Sequence, residues 1–358
     1  MLSCAQALKQ QNSQVELIYI GENDELTNQL VRSSGLPPRY ILAGKWRRYP
    51  ADRWWAQVID WQTHILNFRD VFKLFIGFWQ SLFILLRLQP QVVFVKGGYV
   101  GLPVGIAAWL LGKPLIIHES DIVPGLTNRV LAHLSATVAT GWPAKYYPGW
   151  DGRHLKFVGN PIRSEFSHPA SVKSGSKLAR QRPTLLVIGG SRGARAINQA
   201  VSEHLAELTA DLQVIHISGR GEYERLKQVA SEQGISRDYH LYPWLELDEL
   251  IAAYRAATVI VSRAGMNTLA EVAAIGRPLI VVPHPNTPGD HQRRNALALE
   301  QEQAAIMIEQ AQLDNRLVPA VKELLAASEH QQLLIKGIRH LAKPDAAQAL
   351  AKAILELA

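Results

Sequence analysis

The stretch GGSRGARAIN, residues 189–198, follows the apolar run TLLVI and carries the strongest chemical signal in this 358-residue chain. Gly189, Gly190 and Gly193 let backbone approach a ligand where a Cβ would collide. Ser191 adds a hydroxyl, and a helix beginning near Ala194 aims amide N–H groups at an anion. These features suit a diphosphate held without a metal, although a plain strand-to-helix turn uses the same residues. The spacing is not the G-x-G-x-x-G of dinucleotide sites, no acidic residue ends the next strand, and the P-loop ending Gly-Lys-Ser/Thr is absent.

Four further stretches carry chemistry. Gly97 and Gly98 of GGYVGLPVG read equally as an anion turn and as a point of close helix–strand packing. In SRAGMNTLAEVAAIG, Arg263 and Gly265 occupy a turn, with Thr268 and Glu271 on the opening turns of a helix. A carboxylate there disfavours a neighbouring phosphate but accepts hydrogen bonds from two sugar hydroxyls; otherwise it serves the helix dipole or pairs with Arg263. PHPNTPGDHQRRNA crowds His284, Asp290, His291 and Gln292, without helical i, i+4 ligand spacing. Recognition of sugar hydroxyls by Gln292 or Asp290 suits it better than a metal. IIHESDIVPGLTNR sets His118, Glu119 and Asp121 at a strand's C-terminal end, where a His/Glu pair serves either acid–base chemistry or a structural loop network.

The elements that must position these residues alternate strand and helix. Continuous apolar runs such as QVVFV, TLLVI, TVIVS and PLIVV predict parallel strands covered on both faces. The pattern loosens between Asn160 and Pro183, which places a hinge near Asn160–Pro161. The fold class is therefore α/β, with two Rossmann-like domains facing a cleft: residues 1–160, completed by a helix at 345–358, and residues 161–344. Cys4 is the sole cysteine, which excludes an internal disulfide or a cysteine metal cluster.

Charge is uneven. Residues 1–160 hold 16 Lys/Arg against 10 Asp/Glu, and eight of the nine tryptophans. The segment from Lys45 to Pro90 collects Trp46, Trp54, Trp55 and Trp61 among Arg47, Arg48 and Arg53, as an anionic membrane surface would require. Its longest apolar part, Leu74–Leu86, is too short to span and reads as a core helix. Nucleic acid competes for a basic surface.

In this order the motifs GGYVGLP, HESDIVPGLTN, GNPIR, GGSRGARAIN, SRAGMNTLAE and DHQRRNA resemble the MurG glycosyltransferase family, over essentially the whole chain. The resemblance implies a GT-B type fold and an inverting transfer of N-acetylglucosamine from UDP-N-acetylglucosamine to the C4 hydroxyl of lipid I, giving lipid II for peptidoglycan. No metal or other cofactor is implied, nucleic acid is not a partner, and the place is the cytoplasmic face of the cell membrane, peripherally. By the same resemblance the donor meets Arg163, Gly190, Ser191, Leu247, Met266, Asn267, Thr268, Leu269, Ala270, Glu271, Gln292 and Asp121. Asp121 stands where many relatives carry Asn. The undecaprenyl-linked acceptor meets Gly97, Gly98 and Tyr99.

The chain starts on a helix-like stretch, Leu2–Gln11, where family members have a preceding strand and a glycine-histidine loop bearing the favoured base. That implies a chain that binds donor but transfers poorly, with His118 the one nearby substitute base. Another lipid-directed UDP-sugar transferase of the same fold and a catalytically impaired donor-binding protein are the alternatives. A UDP-sugar epimerase would have no use for a membrane-facing surface.

Overall fold

Every strand pair among the described residues is parallel, as continuous apolar runs require when helices cover both faces of a sheet. The computed structural model describes residues 1–44, 61–150, 154–167, 182–190, 193–235 and 237–358, with Leu26 and residues 61–64 described by backbone alone. The chain divides into two units, Met1–Pro161 with Asp345–Ala358, and Ile162–Pro344.

In the second unit, β7 (Thr184–Ile188), β8 (Gln213–Ile217), β9 (Tyr239–Tyr242), β10 (Val259–Ser262), β11 (Leu279–Val281) and β12 (Ile306–Met307) form one sheet in the order β12-β11-β10-β7-β8-β9. Leu185, Val187, Val259 and Val261 alternate onto one face. There they pack with Ile197 and Val201 of helix Arg195–Glu203 and with Leu317 and Val321 of helix Leu313–Ala326. From β7 the chain proceeds sideways to β8, and β10 on the other flank leads to β11. The β7/β10 junction is thus the switch point where open α/β sheets bind ligands.

In the first unit, β3 (Val93–Val95), β4 (Leu115–Glu119), β5 (Thr137–Thr140) and β6 (Leu155–Phe157) form a four-stranded sheet, and β1 (Tyr19–Gly21) pairs with β2 (Pro38–Tyr40) in a separate ribbon. Helices cover both faces of the larger sheet. On one side lie Val104 and Leu131. On the other, Cys4, Ala7 and Leu8 of helix Leu2–Gln11 meet Leu350, Ala351 and Ile354 of helix Ala346–Leu355 over Ile116 and Ala139. The C-terminal amphipathic pattern thus finds its apolar partner in the unit that begins the chain.

Helix Trp61–Leu88 departs from expectation. Its inward face does pack as core, with Leu85 buried and Phe78 and Leu82 against the same cluster. Gly77 admits the Leu42 carbonyl, where any Cβ would collide, and Gln80 Oε1 accepts the Leu42 N–H at 2.7 Å. The opposite face is open: Phe68 is 68% exposed, Phe75 61% and Trp79 54%, with Phe72 and Phe83 between and beyond them at helical spacing. Residues Ile65–Leu88 are long and apolar enough to cross a membrane, by length and composition only. Leu74–Leu86 is therefore not an ordinary core helix but one with a core face and a bare aromatic face. Trp46, Trp54, Trp55, Lys45, Arg47, Arg48 and Arg53 lie outside the described residues, as does the Trp61 side chain.

Leu350 is fully buried against the first helix. Leu350→Ala should lower the stability of the first unit by about 3 kcal/mol, the usual cost of a core cavity of that size. Urea unfolding followed by tryptophan emission, which reports mainly on residues 1–160, would check it; an unmoved transition would show that the terminal helix does not support that core.

Candidate functional site

Two loops leave the second unit's sheet at its switch point. After β7 the chain turns so tightly that a Cβ on Gly189 would stand 2.4 Å from the Ala194 backbone nitrogen, and one on Gly193 2.7 Å from the Ser218 carbonyl oxygen. Gly190, at φ +80, accepts the Gly193 N–H at 3.0 Å. Helix Arg195–Glu203 follows with no side-chain cap at Ala194. Ser191 falls outside the described residues.

A buried polar chain holds this turn from beneath. The Asn198 amide donates to the Ser218 carbonyl at 3.0 Å, His216 Nε2 lies 2.9 Å from Asn198 Oδ1, and the Tyr239 hydroxyl lies 2.9 Å from His216 Nδ1. Burial lowers the His216 pKa to about 3, so the ring is neutral. Because Asn198 Oδ1 can only accept, Nε2 carries the hydrogen and Nδ1 accepts from Tyr239. The Ser218 carbonyl, over which Gly193 passes, is thereby fixed in place.

After β10, Arg263 turns inward instead of pairing with Glu271. It donates to the Val282 and Pro283 carbonyls at 3.3 and 3.2 Å and to Gln310 Oε1 at 2.7 Å, and burial lowers its pKa only to about 10, which leaves it charged. The Asn295 amide holds the Ala264 carbonyl at 3.2 Å. Helix Met266–Ile275 then starts at Gly265 without a side-chain cap. Met266, Asn267, Thr268 and Ala270 are partly accessible around its first turns. Leu269 is the exception: its side chain is buried in the core and its amide closes on the Gly265 carbonyl, so it supports the helix from behind and lines no open surface.

Glu271 is half-buried one turn further on. Its Oε2 accepts the hydroxyl of fully buried Tyr254 at 3.0 Å, and Tyr254 is in turn braced edge-on by Phe166 with centroids 5.5 Å apart. Burial raises the Glu271 pKa, while Tyr254 and the nearby exposed Arg163 oppose that rise. One oxygen is anchored, and Oε1 takes no hydrogen bond among the described residues. Leu247 opens helix Leu247–Ala256 half-buried, behind a Glu246–Glu249 capping box. Gln292 Oε1 accepts the His284 N–H at 3.0 Å, which leaves its amide nitrogen as a donor. Among the described residues no group of three or more His, Cys, Asp or Glu side chains is placed to hold a metal ion, His284, Asp290 and His291 included.

In the first unit, Gly97 and Gly98 both take positive φ, +81 and +78, between β3 and helix Gly101–Leu110. A Cβ on Gly97 would press on the Asn128 amide at 3.0 Å. The Tyr99 hydroxyl donates to Glu22 Oε2 at 2.5 Å. Glu119 gathers the adjoining loop: its carboxylate accepts from Asp121 N at 3.0 Å, Gly125 N at 2.9 Å and Asn128 Nδ2 at 2.8 Å. The acid–base reading of the His118/Glu119 pair does not survive this geometry. Glu119 is a buried loop clamp. His118 is fully buried, donates from Nε2 to the Gly159 carbonyl at 2.8 Å, and is neutral, since burial and then Lys96 lower its pKa to about 3. It cannot reach a substrate hydroxyl and is not a substitute base.

Tyr254, His216, Asn198 and Asn128 were not expected from sequence. Asn198 and Asn128 lie inside the quoted motifs; Tyr254 and His216 have no local signature, because their roles arise from helix and strand registers far along the chain.

Residues 184–350 match the glycosyltransferase family 28 C-terminal domain, and residues 1–140 the family's N-terminal domain. A UDP-N-acetylglucosamine–N-acetylmuramyl-(pentapeptide) pyrophosphoryl-undecaprenol N-acetylglucosamine transferase of Desulforamulus reducens is 32% identical over 99% of this chain and 93% of its own length. The protein of the same name from Listeria monocytogenes is 33% identical over 99% and 95%. The crystal structure of Acinetobacter baumannii MurG superposes with a TM-score of 0.75 at 25% identity, covering 99% of this chain and 94% of that one.

His216 supplies a test of the supporting chain. Its pKa is 6.5 unfolded and about 3 folded, so between those values the unfolded state binds a proton that the folded state refuses. Stability of the second unit is full above pH 6.5 and declines as pH falls toward 3. His216→Gln, which keeps a donor to Asn198, should flatten that decline in urea midpoints measured from pH 7 to pH 4; an unchanged slope would contradict the assignment.

Proposed function

The chain belongs to glycosyltransferase family 28, in its MurG branch, and from that premise we propose that it transfers N-acetylglucosamine from UDP-N-acetylglucosamine to the lipid-linked muramyl-peptide acceptor, giving lipid II. The observation that carries this reading is whole-length similarity to transferases of that name. It also favours the enzyme over an impaired donor-binding protein and over a transferase for another lipid. The structure adds a two-domain fold of parallel sheets, as in the MurG neighbour.

In the reading proposed here, the second unit holds the donor. The diphosphate lies on the Gly189–Gly193 turn at the mouth of helix Arg195–Glu203, where oriented amides oppose its charge. Glu271, anchored by Tyr254, accepts the ribose hydroxyls through its remaining oxygen. Arg163 stands by the nucleotide, Leu247 packs near the base, Met266, Asn267, Thr268 and Ala270 border the base and sugar, and the Gln292 amide nitrogen donates to the sugar being moved. The acceptor's C4 oxygen attacks the anomeric carbon, the bond to UDP breaks with inversion, and the hydroxyl proton passes to a base. Charge growing on the departing UDP is stabilised by the same amides that bound it, so no divalent ion is needed at that step. The first unit takes the acceptor diphosphate at Gly97–Gly98.

The aromatic face of helix Trp61–Leu88 suits peripheral attachment at the cytoplasmic face of the membrane. Phe68, Phe72, Phe75, Trp79 and Phe83 would enter the headgroup–acyl boundary, with Arg69, Lys73 and Arg87 beside them on the same helix.

Calorimetry with UDP-N-acetylglucosamine in EDTA tests the donor site. Binding is expected to persist in chelator and to weaken about 10- to 100-fold in Glu271→Ala, the loss of charged hydrogen bonds to the ribose. Binding abolished by chelator would overturn it. Flotation with anionic vesicles tests the surface: Phe75→Glu with Trp79→Glu should cut retention by roughly tenfold or more, and unaltered retention would move the contact elsewhere.

A further inference from the structure

Lys96 stands immediately after β3, where strand alternation continues past Val93 and Val95, which face one core cluster, and Phe94, which faces the other. Its side chain therefore leaves the sheet on the Phe94 side, toward the first turn of helix Leu2–Gln11. In agreement, its ammonium is within electrostatic range of Cys4, His118 and Asp121. It is only partly exposed, and burial lowers its pKa. It makes no hydrogen bond or ion pair among the described residues. The Met1 amino group lies within the same electrostatic range of Lys96.

A partly desolvated ammonium with no bonded counter-charge among the described residues is unfavourable by itself. Cys4 is no remedy, since burial pushes its thiol up to about 11 and keeps it neutral. His118 is neutral too, and Asp121 is near but not hydrogen-bonded to Lys96. The next two residues are Gly97 and Gly98, whose positive φ values turn the backbone at the C-terminal edge of the sheet. An anion at that edge would satisfy the ammonium.

We propose that Lys96 is an acceptor-binding residue that contacts the diphosphate of the lipid-linked substrate. This rests on the reading above that the Gly97–Gly98 turn receives that diphosphate. The sequence motif points to the glycines alone; Lys96 supplies a charged contact to a turn that otherwise offers only amides.

Steady-state kinetics of the full chain with the lipid-linked acceptor give the test. Lys96→Gln should raise the acceptor KM about 10- to 100-fold, leave the KM for UDP-N-acetylglucosamine within about twofold, and be largely restored by Lys96→Arg. Gly97→Val, which drives a side chain into Asn128, serves as the control for the turn. If Gly97→Val raises the acceptor KM and Lys96→Gln does not, the role of Lys96 is wrong and the acceptor reading stands. If neither variant changes it, the acceptor reading fails and the proposal with it. Should Lys96→Gln fail to fold, acetylation of the native chain decides: inorganic diphosphate should protect Lys96 from the reagent, and absence of protection would overturn the assignment.

Discussion

At the end of β7 the backbone passes so close to itself that no side chain can stand at Gly189, and none at Gly193 without displacing the Ser218 carbonyl. That closeness is the constraint on which the second unit's chemistry rests. Helix Arg195–Glu203 follows this turn with no side-chain cap at Ala194, and in the proposed reading its first amides face the donor's diphosphate. Each glycine is there because backbone must occupy the space that a Cβ would take.

Such a turn keeps its shape only if the polar groups under it are satisfied. The neutral chain Tyr239–His216–Asn198 does this for the Ser218 carbonyl, with one donor and one acceptor matched at every link. The first unit solves the same problem with a buried carboxylate. Glu119 accepts three hydrogen bonds from the loop that follows β4, and Asn128 reaches from that cluster to the wall of the Gly97 turn. An imidazole relay in one unit and a buried carboxylate, whose pKa burial raises against the pull of its three donors, in the other thus support the two glycine turns by different means.

Much of the fold was legible because parallel strands buried on both faces leave unmistakable apolar runs, and because glycines mark the turns after them. Side-chain direction was not legible. Contiguous residues 266–270 read as one ligand-facing motif, yet a helix rotates each by about 100°, and Leu269 ends in the core. Strand position alone suggested that His118 and Glu119 were available, whereas all five residues of β4 are buried. In helix Trp61–Leu88 apolar residues occupy more than one face, Leu85 inward and Phe75 and Trp79 outward, so periodicity alone does not say which is covered. Only the path of residues 41–44 and the packing of helix Gly101–Leu110 decide that. Glu271 was legible as a carboxylate at a helix start, but Tyr254, which orients it, belongs to another helix.

The closing helix, Ala346–Leu355, belongs to the unit that the chain begins, and its apolar residues complete the layer over Ile116 and Ala139. During synthesis residues 1–161 therefore cannot close that layer until residues 346–355 have been made. Residues 162–344 are contiguous and can fold while the ribosome is still working. The second unit can thus be complete while the first still exposes the apolar residues that this helix covers.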